Sequence, residues 1–151
     1  MKSEPFDIDL DFDACVNMAR RMHSASIFNA LEFSVAKIMT LFIRAHEHNG
    51  DPYFFHVVRD SKPIAMFLGV AGSHFCSEDT YAIDQIIWVD PEYRGTGAGR
   101  VLVDKYKEWC LEMGVTLPMI GSSTGINIEK TKAFYESCGF ECVGHNFVEK
   151  L

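Results

Sequence analysis

The apolar and polar positions change rhythm twice along the chain. Between residues 29 and 48, Leu31, Val35, Ile38, Leu41 and Phe42 recur at spacings of three and four, which predicts an amphipathic helix stopped by Asn49-Gly50. Before it, a short strand or extended arm over residues 6–10 leads to a helix ending near His23, with Asp11 or Asp13 as its cap. The rhythm then shortens. Tyr53-Phe54-Phe55-His56-Val57-Val58-Arg59 reads as a strand, Asp60-Ser61-Lys62-Pro63 as a turn and residues 64–71 as a second strand, so the two form a hairpin. A polar loop leads to a further strand over residues 81–89, broken by Asp90-Pro91-Glu92-Tyr93.

Helical spacing returns over residues 97–113. Leu102, Tyr106, Trp109 or Cys110, and Met113 share a face, and Gly114 stands where a terminating glycine belongs. Pro118-Met119-Ile120-Gly121 lies in a short strand, residues 127–137 form a last helix, and residues 140–143 and 146–150 read as final strands. There is no repeat, linker or low-complexity stretch, so residues 1–151 are expected to form a single domain. The order predicts an α/β fold: a mixed sheet with helices packed on its faces.

Composition narrows the function classes. A net charge of −7 argues against a nucleic-acid ligand, which requires clustered Lys and Arg, and is compatible with a cationic substrate such as an amine. The five cysteines, Cys15, Cys76, Cys110, Cys138 and Cys142, form no Cys-x-x-Cys pair and have no matching histidine pair. They are expected as reduced thiols, with no metal site and no disulfide framework. The polar, acidic first residues are unlike a signal peptide, and the longest apolar runs are too short to cross a bilayer. The expectation is a cytoplasmic protein with neither membrane nor nucleic acid as partner.

The chemistry concentrates at residues 86–103. An apolar strand end, Ile86-Ile87-Trp88-Val89, is followed by Arg94-Gly95-Thr96-Gly97-Ala98-Gly99-Arg100 and then by the helix that opens at Val101-Leu102-Val103. Strand, glycine loop and helix start in succession make an anion site, because unpaired backbone N–H groups and the positive end of the helix dipole point the same way. The Walker phosphate loop is absent, since no four-residue spacer precedes a Gly-Lys-Ser/Thr string. The dinucleotide pattern Gly-x-Gly-x-x-Gly also fails at its third glycine. A tight strand-to-helix connection with no ligand is the plain alternative, but it does not call for three alternating glycines between two arginines.

Arg94-x-x-Gly97-x-Gly99, preceded by Val89-Asp90-Pro91-Glu92-Tyr93, resembles the acetyl-CoA motif of the GNAT superfamily of N-acyltransferases, Arg/Gln-x-x-Gly-x-Gly/Ala. Ala133-Phe134-Tyr135-Glu136-Ser137-Cys138-Gly139-Phe140 is similar to the Tyr-Glu-x-x-Gly-Phe ending of that superfamily's last helix. The likeness covers residues 54–140 well and residues 1–50 only as two helices. Residues 125–131, leading into the last helix, resemble acetyltransferases of bacteriophages and prophages.

The resemblance implies a three-layer sandwich, with a mixed, mostly antiparallel sheet of about 6–7 strands flanked by about four helices. It implies acetyl-CoA as co-substrate, a primary amine on a small molecule or protein as acceptor, direct transfer in a ternary complex, and compatibility with a homodimer. On this reading the backbone of Gly95, Thr96, Gly97, Ala98, Gly99 and Arg100 binds the pyrophosphate, and Arg94 or Arg100 adds charge. The pantetheine arm lies along Ile87, Trp88 and Val89, with the Val89 N–H facing the thioester carbonyl. Asn127 and Phe134 are further cofactor contacts; Asn127 is one residue out of register with the family's asparagine and is otherwise a helix cap.

Tyr135 stands at the family's general-acid position, its alternative being a core tyrosine. Where some relatives carry a glutamate as base, this chain has Gly121-Ser122-Ser123-Thr124, so Asp84 is the nearest carboxylate, unless it is simply solvated or ion-paired. His23, Ser26 and His74 are candidate acceptor contacts, while Asp7, Asp9, Asp11 and Asp13 read as a solvated face and cap. The competing functional readings are a catalytically inactive CoA-binding module and a protein-interaction module on the same fold.

Overall fold

The computed structural model describes residues 1–48 and 51–151. Five strands, β1 (Ser3–Pro5), β2 (Tyr53–Asp60), β3 (Lys62–Ser73), β4 (Thr80–Val89) and β5 (Leu117–Pro118), form one sheet in sequence order among the described residues. All neighbours are antiparallel except β4 and β5, which run parallel. Among the described residues four α-helices cover it: α1 (Ile8–Ala25), α2 (Val35–Glu47), α3 (Ala98–Glu112) and α4 (Ile128–Ser137). The result is the expected three-layer α/β sandwich, with fewer strands than the 6–7 anticipated.

Each face of the sheet carries its own core. Toward α1 and α2, Phe6, Met18, Phe42, Phe55, Leu68, Ile86 and Trp88 pack together; toward α3, Phe54, Phe67, Leu102, Tyr106 and Cys110 do. Phe42 is wholly buried, and such burial contributes about 1.5–3 kcal/mol for a large apolar side chain.

The first helix begins earlier than expected because Asp7, not Asp11 or Asp13, is its cap, accepting the Asp9 and Leu10 amides at 2.9 and 3.1 Å. Asp11 is fully buried and accepts from Arg59 Nε at 2.9 Å, with Glu4 as the arginine's second carboxylate partner. The supposed solvated acidic face is therefore in part a tie between α1 and β2. The predicted second helix splits into a 3₁₀ turn, Ile27–Ala30, and α2, leaving Leu31 exposed between them. His48 ends α2 in the left-handed conformation at φ 52; the expected stop, Asn49-Gly50, lies outside the described residues.

Residues 140–151 form no strand, contrary to expectation, and Val143, Phe147 and Val148 are exposed. Alternating sequence favours a strand only when a neighbour supplies the ladder, and β5 is only two residues long, ending at Pro118.

His56 on β2 stacks on Phe54 (centroids 4.5 Å apart, planes at 4°), and its Nδ1 is buried without a hydrogen-bond partner. Burial first, and the charge of Lys105 second, lower its pKa from the ordinary 6.5 to about 4. The unfolded chain takes up this proton at a higher pH than the folded chain does. Stability is therefore expected to fall as pH drops from about 6.5 toward 4. In His56→Phe that part of the acid loss should vanish, as read from urea midpoints across the interval.

Candidate active site

Strands β4 and β5 stay together only briefly. Tyr81 pairs with Leu117 and Ala82 with Pro118, and the Met119 amide reaches the Ala82 carbonyl at 2.8 Å. The next contact is made by a side chain: the Gly121 amide donates to Asp84 Oδ1 at 2.5 Å. By taking the place of a backbone acceptor, Asp84 holds the chain leaving β5 a side chain's length from β4. Beyond Ala82 no strand pairs with this edge of β4 among the described residues, and a cleft of about 610 Å³ opens along residues 84–89.

A β-bulge decides which side chains face which way. Leu68 pairs with Ile86 and Gly69 with Asp84, so Gln85 is an extra residue in β4. Ala82 packs on the α3 face before the bulge; after it, Ile87 and Val89 pack there, while Ile86 and Trp88 turn to the α1 face. Ile87, Trp88 and Val89 all line the cleft, but they divide between the two faces of the sheet rather than forming one wall. Trp88 is nearly buried; its Nε1 donates to Asp90 Oδ1 at 2.8 Å, and Asp90 accepts from Arg21 of α1 at 2.8–3.1 Å. That network, which fastens α1 to the end of β4, had no sequence signal beyond the turn residues Asp90-Pro91.

The glycine loop lies where expected. Gly97 precedes α3 with φ 95 and ψ −4, and no side chain caps the helix. The amides of Gly95, Gly97, Ala98, Gly99 and Arg100 have no acceptor among the described residues, and Gly95, Gly97, Gly99 and Arg100 line the cleft. A Cβ on Gly97 would meet nothing within 4 Å, whereas one on Gly99 would come within 3.2 Å of the Phe134 ring. Gly97 thus leaves open space beside the free amides, and Gly99 lets α4 approach α3. Both properties fit a diphosphate cradle.

Thr96 and Ala98 do not line the cleft; Thr96 donates its hydroxyl to the Tyr93 carbonyl at 2.6 Å, and the Ala98 side chain is buried. Arg94 lies over the Trp88 ring at 4.9 Å and donates from Nε to the Val89 carbonyl at 3.1 Å. Arg100 pairs with Asp104 at 3.2 Å and reaches the Ser137 carbonyl at 2.9 Å. Asn127 lines the cleft and also occupies the N-cap position of α4 with φ 44, its carbonyl accepting the Thr131 amide at 2.9 Å while its side chain makes no capping bond.

Asp84 and Tyr135 share the cleft wall. Burial raises the Asp84 pKa to about 6 against the opposing pull of the Gly121 amide. Burial, then the Asp84 charge, pushes the Tyr135 hydroxyl well above the ordinary phenol value. That hydroxyl has no hydrogen-bond partner among the described residues. At neutral pH the pair is a carboxylate able to take a proton and a phenol that keeps one.

The three acceptor candidates fall elsewhere. His23 lines a separate, shallower hollow of about 320 Å³ between α1 and α2, packing on Phe33 at 5.2 Å. Ser26 is buried and caps the 3₁₀ turn through the Phe28 amide at 3.2 Å. His74 bonds Cys76 Sγ at 3.0 Å on the exposed β3–β4 loop and does not line the cleft. The cleft wall also includes Met22, Phe28, Gln85, Ile126, Lys130 and the run 122–124; Met22, Phe28 and Gln85 carried no sequence signal. Among the described residues no group of three or more His, Cys, Asp or Glu could hold a metal ion, and no helix is long and apolar enough to cross a membrane.

Comparison with known proteins agrees with this geometry. A family model described as acetyltransferase (GNAT) matches residues 17–140. The structure is similar to glucosamine-6-phosphate N-acetyltransferase from Arabidopsis thaliana, with TM-score 0.72 and 16% identity over 99% of this chain and 97% of that one. It is also similar to an aminoglycoside acetyltransferase from an uncultured soil metagenomic sample (TM-score 0.70, 18% identity, 99% and 95% covered). A Trypanosoma brucei acetyltransferase gives TM-score 0.70 at 17% identity, with 99% of each chain covered. No protein of the curated set matches by sequence.

Proposed function

Since the chain belongs to the acetyltransferase (GNAT) family, we propose that it is an N-acetyltransferase that moves the acetyl group of acetyl-CoA directly to a primary amine in a ternary complex, in the cytoplasm. The observation that carries the reading is the unpaired edge of β4, flanked by free loop amides at one end and by Asp84 and Tyr135 along its length.

The loop amides and Arg94 hold the pyrophosphate, and the pantetheine amides use the open β4 edge as a second strand would. The lining comes from both faces of the sheet, Gly99 and Phe134 from one and Met22 and Ile126 from the other, so two ligands have room to meet at this edge. An ammonium has no lone pair. Asp84 accepts its proton, the free amine attacks the thioester carbon, a C–N bond forms and the C–S bond breaks. A backbone amide at Val89 stabilises the oxyanion while charge develops there. Tyr135 donates its proton to the departing sulfur, and the resulting phenolate regains one, through solvent, from the cationic nitrogen as it becomes the neutral amide. A free thiol has a pKa of about 8.5 and a phenol about 10. The same desolvation that raises the phenol raises the thiolate's basicity, which keeps the transfer within reach.

Free-thiol release from acetyl-CoA across an amine panel tests the reading. Amine-dependent release is expected from the unmodified chain. Tyr135→Phe should lower turnover at least tenfold with CoA affinity unchanged; release that ignores the amine, or an undiminished Tyr135→Phe, would overturn it.

A further inference from the structure

A backbone clasp ties two walls of the cleft together. The Ile27 amide donates to the Thr124 carbonyl at 2.8 Å, joining the turn after α1 to the segment before α4. Gly125, at φ +75, makes this possible: a Cβ there would stand 2.7 Å from Ile27 Cγ2. With the two segments drawn together, Phe28, Met22 and Ile126 line the cleft as apolar side chains, alongside Ser122 and Ser123. The lining here combines apolar side chains with small hydroxyls.

The charges are distributed unevenly. Among the described residues lining the cleft, Asp84 is the single carboxylate, and the other charged side chains, Arg94, Arg100 and Lys130, are positive. An acceptor entering here finds one partner for one ammonium. A second or third ammonium would be desolvated beside apolar side chains with no counter-charge, and burying an unpaired charge is costly. An alkyl or aryl body, by contrast, gains from removal of its surface from water against Phe28, Met22 and Ile126.

We propose that the acceptor is a primary amine with a single positive charge and an apolar alkyl or aryl body, selected by Phe28 and the Ile27–Gly125 clasp, and that polycationic amino sugars are rejected. This rests on the N-acetyltransferase reading above and names its substrate class.

The test compares phenethylamine, glucosamine and sisomicin as acceptors at saturating acetyl-CoA, with CoA binding followed in parallel by calorimetry. Phenethylamine should show a kcat/KM at least tenfold above both others. Phe28→Ala should raise its KM about tenfold, and Gly125→Ala should do likewise by prising Ile27 away, while the KM for acetyl-CoA stays constant in both. Equal or better turnover of sisomicin or glucosamine overturns the proposal, as does an unchanged amine KM in Phe28→Ala. Absence of transfer to all three amines with CoA heat present overturns the substrate class alone; absence of CoA heat overturns the acetyltransferase reading with it.

Discussion

Asp84→Asn is expected to lower turnover about a hundredfold or more while melting at or above the temperature of the unmodified chain at pH 7. The asparagine keeps an oxygen where Gly121 donates, so the spacing of β4 and β5 survives, but it takes no proton from an ammonium. General bases typically supply two to four powers of ten. The stability half of the expectation follows from the raised pKa, about 6 against the ordinary 3.8. Between those values the unfolded chain has released a proton that the folded chain retains. The contribution of Asp84 to stability therefore declines as pH rises from about 4 to about 6 and stays low above that. A neutral isostere removes the penalty at pH 7. In the unmodified enzyme kcat/KM should rise through pH about 6, and Asp84→Asn should flatten that limb. Full turnover in the variant would remove Asp84 from the base role; a lower melting temperature would make its bond to Gly121, not its charge, the reason for its presence.

Gly97→Val is expected to weaken CoA binding about a hundredfold or more, with the fold retained. The residue sits at φ 95, where a β-branched side chain is strained by about 1–3 kcal/mol. Because a Cβ meets no protein atom within 4 Å, the added side chain projects into open space beside the unpaired amides rather than into the core. Calorimetric titration with CoA reads the loss. Gly97→Ala carries most of the backbone strain with far less bulk, so it should lie between the valine variant and the unmodified chain. Native affinity in Gly97→Val would mean that the free amides before α3 do not cradle the diphosphate.

The parts of this site that the sequence announced are those built from neighbours in the chain. Gly97 and Gly99 could be assigned to a strand-to-helix turn because the apolar run before them and the helical spacing after them are local patterns. Tyr135 was legible for the same reason, set in a helix whose end is marked by Gly139. His23, Ser26 and His74 were misplaced because nothing local says whether a polar residue at an element end faces a cleft. Phe28, two residues past Ser26, reaches the cleft through the Ile27–Thr124 bond, a contact between segments far apart in the chain. Phe147 and Val148 have strand-like chemistry, but a strand also requires an edge to join.

By itself, then, the amino-acid order determined the succession of the main elements from α1 to α4, the glycine loop before α3 and the tyrosine on α4, since each depends on backbone and periodicity within a few residues. Tertiary structure decided the orientation of Asp84. Simple alternation would place it on one face with Ile86 and Trp88, but the extra residue Gln85 shifts the register against β3 and leaves it on the α3 and α4 side with Tyr135. A bulge exists only in the pairing of two strands, so neither strand's sequence states it.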